Sequence, residues 1–272
     1  MTDEPDLGAL FSAAHAEFAI LSPLLWEPAA VATLEAVKPR PGERVLDVCC
    51  GAGASALRAA EAVGPDGWVD AIDLATGLLA LGRSEAAARG LDQLRFIEAD
   101  ATAWAPDGEA AYDVVQCVYG IFFLPEMDAA AARLAGLLRP GGRFAVTTWE
   151  RDAIVPVPEL MAQAVEHVRG EALPPEARRL PGASINTPDS FHAWLSALNL
   201  RDVAVTVLRR QFPLDHEQAW TLILGGGLRA FVMGLEPEDV ERVRTRFVGL
   251  LDEHGVSTFN ATTLVGVGTT PG

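Results

Sequence analysis

Between Arg44 and Trp149 the chain alternates short apolar runs with helical stretches, and that alternation leaves few architectures open. Arg44 to Cys50, Trp68 to Leu74, Leu94 to Ala99, Tyr112 to Val118 and Arg143 to Trp149 read as strands. Ala54 to Val63, Gly77 to Arg89 and Ala129 to Leu138 read as helices between them. Gly64-Pro65-Asp66-Gly67 stops the first helix, Gly90 caps the second, and Pro140-Gly141-Gly142 turns the chain into the fifth strand. The pattern predicts an α/β fold with a doubly wound, mostly parallel sheet. Ligands of such sheets bind at the carboxyl ends of the strands.

The flanking segments are less regular. Phe11 to Val37 reads as a helical cap ahead of the first strand. Pro156 to Val168 reads as a helix, Leu173 to Asn186 as a Pro- and Ala-rich loop, and Pro188 to Leu198 as a helix capped by Thr187. Val203 to Leu208 reads as a strand, His216 to Leu235 and Glu238 to His254 as two helices, and Ser257 to Val267 as a final strand. The expected organisation is a single domain over 1–272, with a cap at 8–38, a core at 40–150, substrate-side helices and a lid at 151–256, and a closing strand at 257–268.

Lys plus Arg is 21 against 37 Asp plus Glu, a formal net charge of −16. So acidic a surface repels phosphate backbones and anionic lipid, which argues against nucleic-acid and membrane partners. The three cysteines, Cys49, Cys50 and Cys117, have neither disulfide-framework nor zinc spacing, so no metal site is expected. Buried reduced thiols fit a cytoplasmic protein. Met1 to Leu7 is acidic and lacks the plan of a signal peptide. The longest apolar stretch, Trp220 to Met233, is interrupted by Gly225, Gly226, Gly227 and Arg229.

The run from Val45 to Gly53, Val-Leu-Asp-Val-Cys-Cys-Gly-Ala-Gly, puts glycines in a strand-to-helix turn, where a ligand can approach the backbone closely. Gly51-x-Gly53-x-x-Ala56, with Asp73 further on, also fits a dinucleotide fingerprint. Asp47 discriminates. A carboxylate at the mouth of the first strand repels a pyrophosphate but suits an ammonium and a sulfonium, and S-adenosylmethionine carries both. Asp47, Asp73 and Asp100 end successive strands and so face one edge of the sheet. Asp73 can accept from both ribose hydroxyls. Asp100 can accept from the adenine amino group, with the Ala101 amide donating to a ring nitrogen and Leu74 and Leu78 sandwiching the purine.

With these segments, and with Asp70-Ala71-Ile72-Asp73-Leu74, Glu98-Ala99-Asp100-Ala101, Tyr112-Asp113-Val114-Val115 and Leu138-Arg139-Pro140-Gly141-Gly142-Arg143, the stretch from Arg40 to Glu150 resembles the class I S-adenosylmethionine-dependent methyltransferases. The likeness is to the small-molecule branch that includes ubiquinone/menaquinone C-methyltransferases and actinobacterial natural-product enzymes. It implies a Rossmann-like, seven-stranded sheet with an antiparallel last strand, S-adenosylmethionine as cofactor and S-adenosylhomocysteine as product. It also implies a cofactor set of Asp47, Cys49, Gly51, Gly53, Asp73, Leu74, Leu78, Asp100, Ala101 and Cys117. Two departures stand out. Cys49 occupies a position where the family usually has glycine, tolerable if its φ is negative, and Phe18 stands where a tyrosine is common.

The resemblance places the loop from Val118 to Pro125 between cofactor and acceptor. Tyr119, Phe122 and Phe123, with Trp149, would then wall an apolar, aromatic pocket for a small-molecule acceptor. Gly225-Gly226-Gly227 could hinge a lid, and Arg229 could bind a carboxylate or pair with a surface acid. His15, His192 and His216 are the candidate general bases, each also readable as a surface or capping histidine. A monomer or homodimer is expected. A cyclase or decarboxylase, or a catalytically silent binding subunit, on the same scaffold is the alternative reading.

Overall fold

A computed structural model describes residues 6–106, 111–178 and 180–272. Met1 to Pro5, most of the acidic N-terminal stretch, and Arg179 of the expected loop lie outside the described residues. The elements are α1 (Leu7–Ala13), α2 (His15–Leu21), α3 (Trp26–Val37), β1 (Arg44–Val48), α4 (Ala54–Val63), β2 (Trp68–Asp73), α5 (Thr76–Arg89) and β3 (Leu94–Glu98). Next come β4 (Tyr112–Val118), α6 (Met127–Ala135), β5 (Leu138–Trp149), α7 (Val157–Arg169), α8 (Pro188–Ala197), β6 (Arg201–Leu208) and β7 (Gln211–Pro213). The chain closes with α9 (His216–Leu224), α10 (Pro237–Glu253), β8 (Thr258–Asn260) and β9 (Thr263–Thr269).

Seven strands form one sheet in the order β3-β2-β1-β4-β5-β9-β6. The first five are parallel, and β9 runs antiparallel to both β5 and β6. The central strands are buried on both faces, which explains their nearly continuous apolar character. Val45, Val69, Val114 and Ala145 pack with α3, α4 and α5 on one face, while Leu46, Ile72, Val115 and Phe144 pack with α6 and α8 on the other. A third cluster gathers α7, α9, α10 and the β7–β8 pair around Phe247 and Trp220, and Trp26 and Trp149 join it to the rest.

Three segments differ from expectation. The stretch read as one helix from His216 to Leu235 ends at Leu224, then continues as a 3-10 turn over Gly227–Phe231. The break falls at Gly226, whose backbone is extended at φ −151° and ψ −165°; at Gly225 a side chain would sit 2.6 Å from Leu21 Cδ1 and 2.9 Å from the Glu17 carbonyl carbon, so the cap backs directly onto that glycine. The closing strand read at 257–268 is two strands. Asn260 accepts from the Thr262 amide at 3.0 Å and turns the chain between β8 and β9. The helix read to Leu138 ends at Ala135, and β5 begins at Leu138, ahead of the Pro140-Gly141-Gly142 read as a turn.

Candidate active site

The chain order reverses between β1 and β4, whose neighbours β2 and β5 lead away in opposite directions. That switch point opens a crevice at the carboxyl edge. The β1–α4 turn lies beside it, with φ +54° at Gly51 and +88° at Gly53, a backbone that favours glycine. Phe96 of β3 fills the space behind Gly53. In front, the Phe18 ring of α2 comes within 3.0 Å of where a Gly51 side chain would begin. Leu78 is buried beside Gly51, and the cap continues over α5, with the Ser12 carbonyl against Gly77 and the Leu74 carbonyl against Gly8.

Cys49 has φ +54°, against the negative value expected. A left-handed non-glycine residue carries strain of about 1–2 kcal/mol. Its thiol is wedged against Gly120, where a Cβ would lie 2.9 Å from the sulfurs of both Cys49 and Cys117. A hydrogen bond with Cys117, then burial, holds the Cys49 thiol well above its ordinary pKa, so it is protonated and inert.

Asp47 is not at the mouth of β1. It is fully buried one layer beneath the turn, where Ser55 Oγ donates to Oδ2 at 2.5 Å and Gln116 Nε2 donates to the same oxygen at 3.2 Å. Its Oδ1 and the Gln116 Oε1 are buried acceptors with no partner among the described residues. Burial raises the Asp47 carboxyl to about 7, against the lowering from its two donors. Asp73, at the end of β2, accepts from the Gly51 and Ala75 amides, each at 2.8 Å, and burial raises its pKa. Each of its oxygens keeps a lone pair for a ligand hydroxyl. Asp100 is exposed past β3 and accepts from the Thr102 amide and hydroxyl at 2.8 and 2.7 Å, while Ala101 is buried next to it. Leu74 is half exposed at the edge.

The aromatic side chains divide into two groups. Tyr119 stacks on Trp149 with centroids 4.2 Å apart, meets Trp26 edge-on at 5.6 Å, and Trp26 stacks on Phe18 at 4.9 Å. Phe122 and Phe123 form the second group with Phe11 of α1, and Gly227 abuts Phe123. Tyr119 has φ +57°, its amide donates to Thr147 Oγ1 at 2.9 Å, and its hydroxyl bonds Thr263 Oγ1. Burial raises the Tyr119 phenol, leaving it protonated near neutrality.

The three candidate histidines are all exposed. His216 pairs with Asp252 Oδ1 at 2.8 Å on the surface, and His192 faces solvent on α8. His15 Nδ1 lies 3.0 Å from the Ser12 carbonyl oxygen, within the cap. Arg229 is likewise structural: it donates to the Leu224 carbonyl at 2.8 Å and reaches Glu17 at 3.5 Å, tying the lid to the cap. The sequence reading missed Ser55, Gln116 and Trp26. Gln116 left a signal, an amide inside the otherwise apolar run of β4. Among the described residues no group of His, Cys, Asp or Glu is gathered for a metal.

The groups available fit a ligand rich in donors, because unpartnered acceptors lie beneath the turn and spare carboxylate lone pairs line the edge. The sheet order and the glycine turn are those of a Rossmann-like methyltransferase fold. Residues 45–142 match the family model described as a methyltransferase domain. Over 176 residues it is 38% identical to nocamycin O-methyltransferase of Saccharothrix syringae, covering 63% of this chain and 58% of that one. Over 112 residues it is 43% identical to aklanonic acid methyltransferase DauC of a Streptomyces species, covering 41% and 50%. The aligned regions thus span little more than half of either relative. The [4+2]-cyclase SpnF shares the fold, with a TM-score of 0.60 at 17% identity over 97% of this chain and 95% of that one.

Proposed function

We propose that the protein transfers the methyl group of S-adenosylmethionine to a small, apolar or aromatic acceptor. The observation that carries this reading is a glycine turn with Asp73 at the end of β2 beside it, Asp100 past β3, and unpartnered acceptors of the buried Asp47 and Gln116 below it. Asp73 would hold the ribose hydroxyls, Leu74 and Leu78 the purine, Asp100 and Ala101 its polar edge, and Asp47 with Gln116 the ammonium end. The relatives' names support an acceptor among natural products or related small molecules. We extend the reading to a cytoplasmic monomer or homodimer; the net charge of −16 and three free thiols support it.

The bound cofactor supplies a sulfonium-activated methyl group. The protein's part is then alignment and exclusion of water. Phe18 and the rest of the cap close the crevice, and the stacked Tyr119 and Trp149 orient a flat acceptor. A protonated Tyr119 orients rather than abstracts a proton. The reading therefore favours an electron-rich carbon or an oxygen that ionises near neutrality.

Titration calorimetry tests this. S-adenosylmethionine and S-adenosylhomocysteine should bind with micromolar affinity and NADH should not, and an acceptor screen should then show a gain of one CH₂ in product mass. Asp73→Asn should weaken S-adenosylhomocysteine on the order of 30-fold without unfolding the protein, since bonds to a charged acceptor are worth about 1.5–3 kcal/mol. Unchanged affinity in the folded variant refutes the ribose assignment. A product formed without mass gain would favour the cyclase alternative, whose support is the fold shared with SpnF.

Trp26 supplies another test. Its Nε1 is buried without a partner among the described residues, beside Phe18 and Tyr119. A stranded donor costs about 1–3 kcal/mol until a ligand accepts from it. Trp26→Phe keeps the ring stack and removes the donor. The ligand-free variant should melt no lower than wild type, while its thermal shift with S-adenosylhomocysteine should shrink. An undiminished shift means that this donor does not serve the ligand.

A further inference from the structure

A second cleft of about 560 Å³ opens on the same edge of the sheet, lined by Glu150, Asp152, Arg209, Arg210, Gln211, Asn260 and Thr262. Its walls are the segments that follow β5, follow β6 and precede β9. Because β9 is antiparallel to both neighbours, all three segments lie at the carboxyl edge shared with the glycine turn. Glu150 adjoins Trp149, and Thr262 adjoins Thr263, the partner of the Tyr119 hydroxyl. The cleft is therefore continuous in sequence with the aromatic wall at two points.

Glu150 Oε2 accepts from the Asp152 amide at 3.0 Å, and Asn260 Nδ2 donates to the Asp152 backbone carbonyl at 3.0 Å, so one Glu150 oxygen and the Asp152 backbone fix the acidic wall while the Asp152 carboxylate stays unbonded among the described residues. Among the described residues neither Arg209 nor Arg210 makes an ion pair, whereas Arg58, Arg89, Arg143 and Arg246 are each paired with a glutamate. Two guanidiniums lining one cleft without an ion pair among the described residues offer donors suited to a planar carboxylate. The Arg210 charge also favours the ionised form of the Tyr119 phenol, although burial outweighs it, so its field reaches the acceptor wall.

We propose that this cleft is the carboxylate-binding end of the acceptor site, so that the acceptor is an elongated apolar molecule carrying a carboxylate that Arg209 and Arg210 hold. The inference rests on the methyl-transfer reading for what happens at the other end. Neighbouring strands lie about 4.8 Å apart, so the cleft, centred over β9, stands about 10 Å from the end of β4 where the crevice lies. At that separation the carboxylate is an anchor and not the methylated atom. Tyr119 follows β4 and Trp149 ends β5, the strands that separate the crevice from β9.

Calorimetry with biphenyl-4-carboxylate and biphenyl-4-carboxamide, at saturating S-adenosylhomocysteine, tests the cleft without knowledge of the natural acceptor. The wild-type protein should bind the carboxylate about ten-fold more tightly than the amide, the range of one charge-assisted pair. Arg209→Gln/Arg210→Gln should remove that preference while leaving affinity for the amide and for S-adenosylhomocysteine unchanged. Equal affinities in wild type, no binding of the carboxylate, or a preference that survives in the double variant overturns the proposal. If S-adenosylhomocysteine itself does not bind, the methyl-transfer reading fails instead, and the same comparison on the ligand-free protein still decides the cleft.

Discussion

Gly53→Ala should lower the unfolding free energy by about 3 kcal/mol, from left-handed strain of about 1–2 kcal/mol and overpacking of about 1–3 kcal/mol. The backbone at Gly53 has φ +88°, and an added Cβ would sit 2.5 Å from Phe96 Cζ and 2.8 Å from Cε1. Phe96 cannot withdraw easily, since the same ring edge fills the space beside Gly82, where a Cβ would lie 2.4 Å away. Gly141 separates the two costs: its φ is +72° with nothing within 4 Å, so Gly141→Ala should cost about 1 kcal/mol, by strain alone. Urea unfolding of both variants gives the difference. Adding Phe96→Leu should recover part of the Gly53→Ala loss through a coupling of about 1 kcal/mol. If Gly53→Ala costs no more than Gly141→Ala, the ring does not set the shape of the turn.

Such a turn is legible in a sequence because its causes are local. Glycines at 51 and 53 permit the positive φ, and apolar runs of strand length on either side of α4 compel a parallel sheet. The same holds for Thr187-Pro188, whose capping box starts α8 where expected. What the sequence reading missed depends on partners far along the chain. Nothing near Gly225 announces that Leu21 and Glu17 press against it. Asp47 reads as a strand-end acid at the mouth of the site until Ser55 and Gln116 are seen to draw it beneath the turn. The three histidines are candidates by residue type and by their place in cap, lid and substrate-side helix, and the fold leaves all three exposed. Asn260 was different: its turn-forming side chain was visible in the sequence, but the β-prone residues on both sides masked it.

The buried Asp47 has the larger consequence for how the protein responds to pH. Its carboxyl titrates at about 7 in the folded chain, against about 4 in an unfolded one, so between these values the folded state holds the extra proton. Its contribution to stability is therefore fully present below pH of about 4, falls as pH rises toward 7, and is lost above that, a span on the order of 4 kcal/mol. Asp47→Asn removes the charge, keeps an acceptor for Ser55, and can place an amide donor opposite the unpartnered Gln116 Oε1. The variant should be more stable than wild type at pH 8, about equal at pH 4, and its urea midpoint should lack the wild-type decline between them. The cost should appear in binding. A ligand ammonium stabilises the ionised carboxylate, so wild-type affinity for S-adenosylhomocysteine should strengthen as pH rises through 7, and the variant's should not follow. Parallel stability profiles for the two proteins would mean that Asp47 is already ionised in the fold. Parallel binding profiles would mean that the ammonium lies elsewhere. Together the two measurements separate a carboxylate that supports the turn from one held in a costly environment for the ligand it awaits.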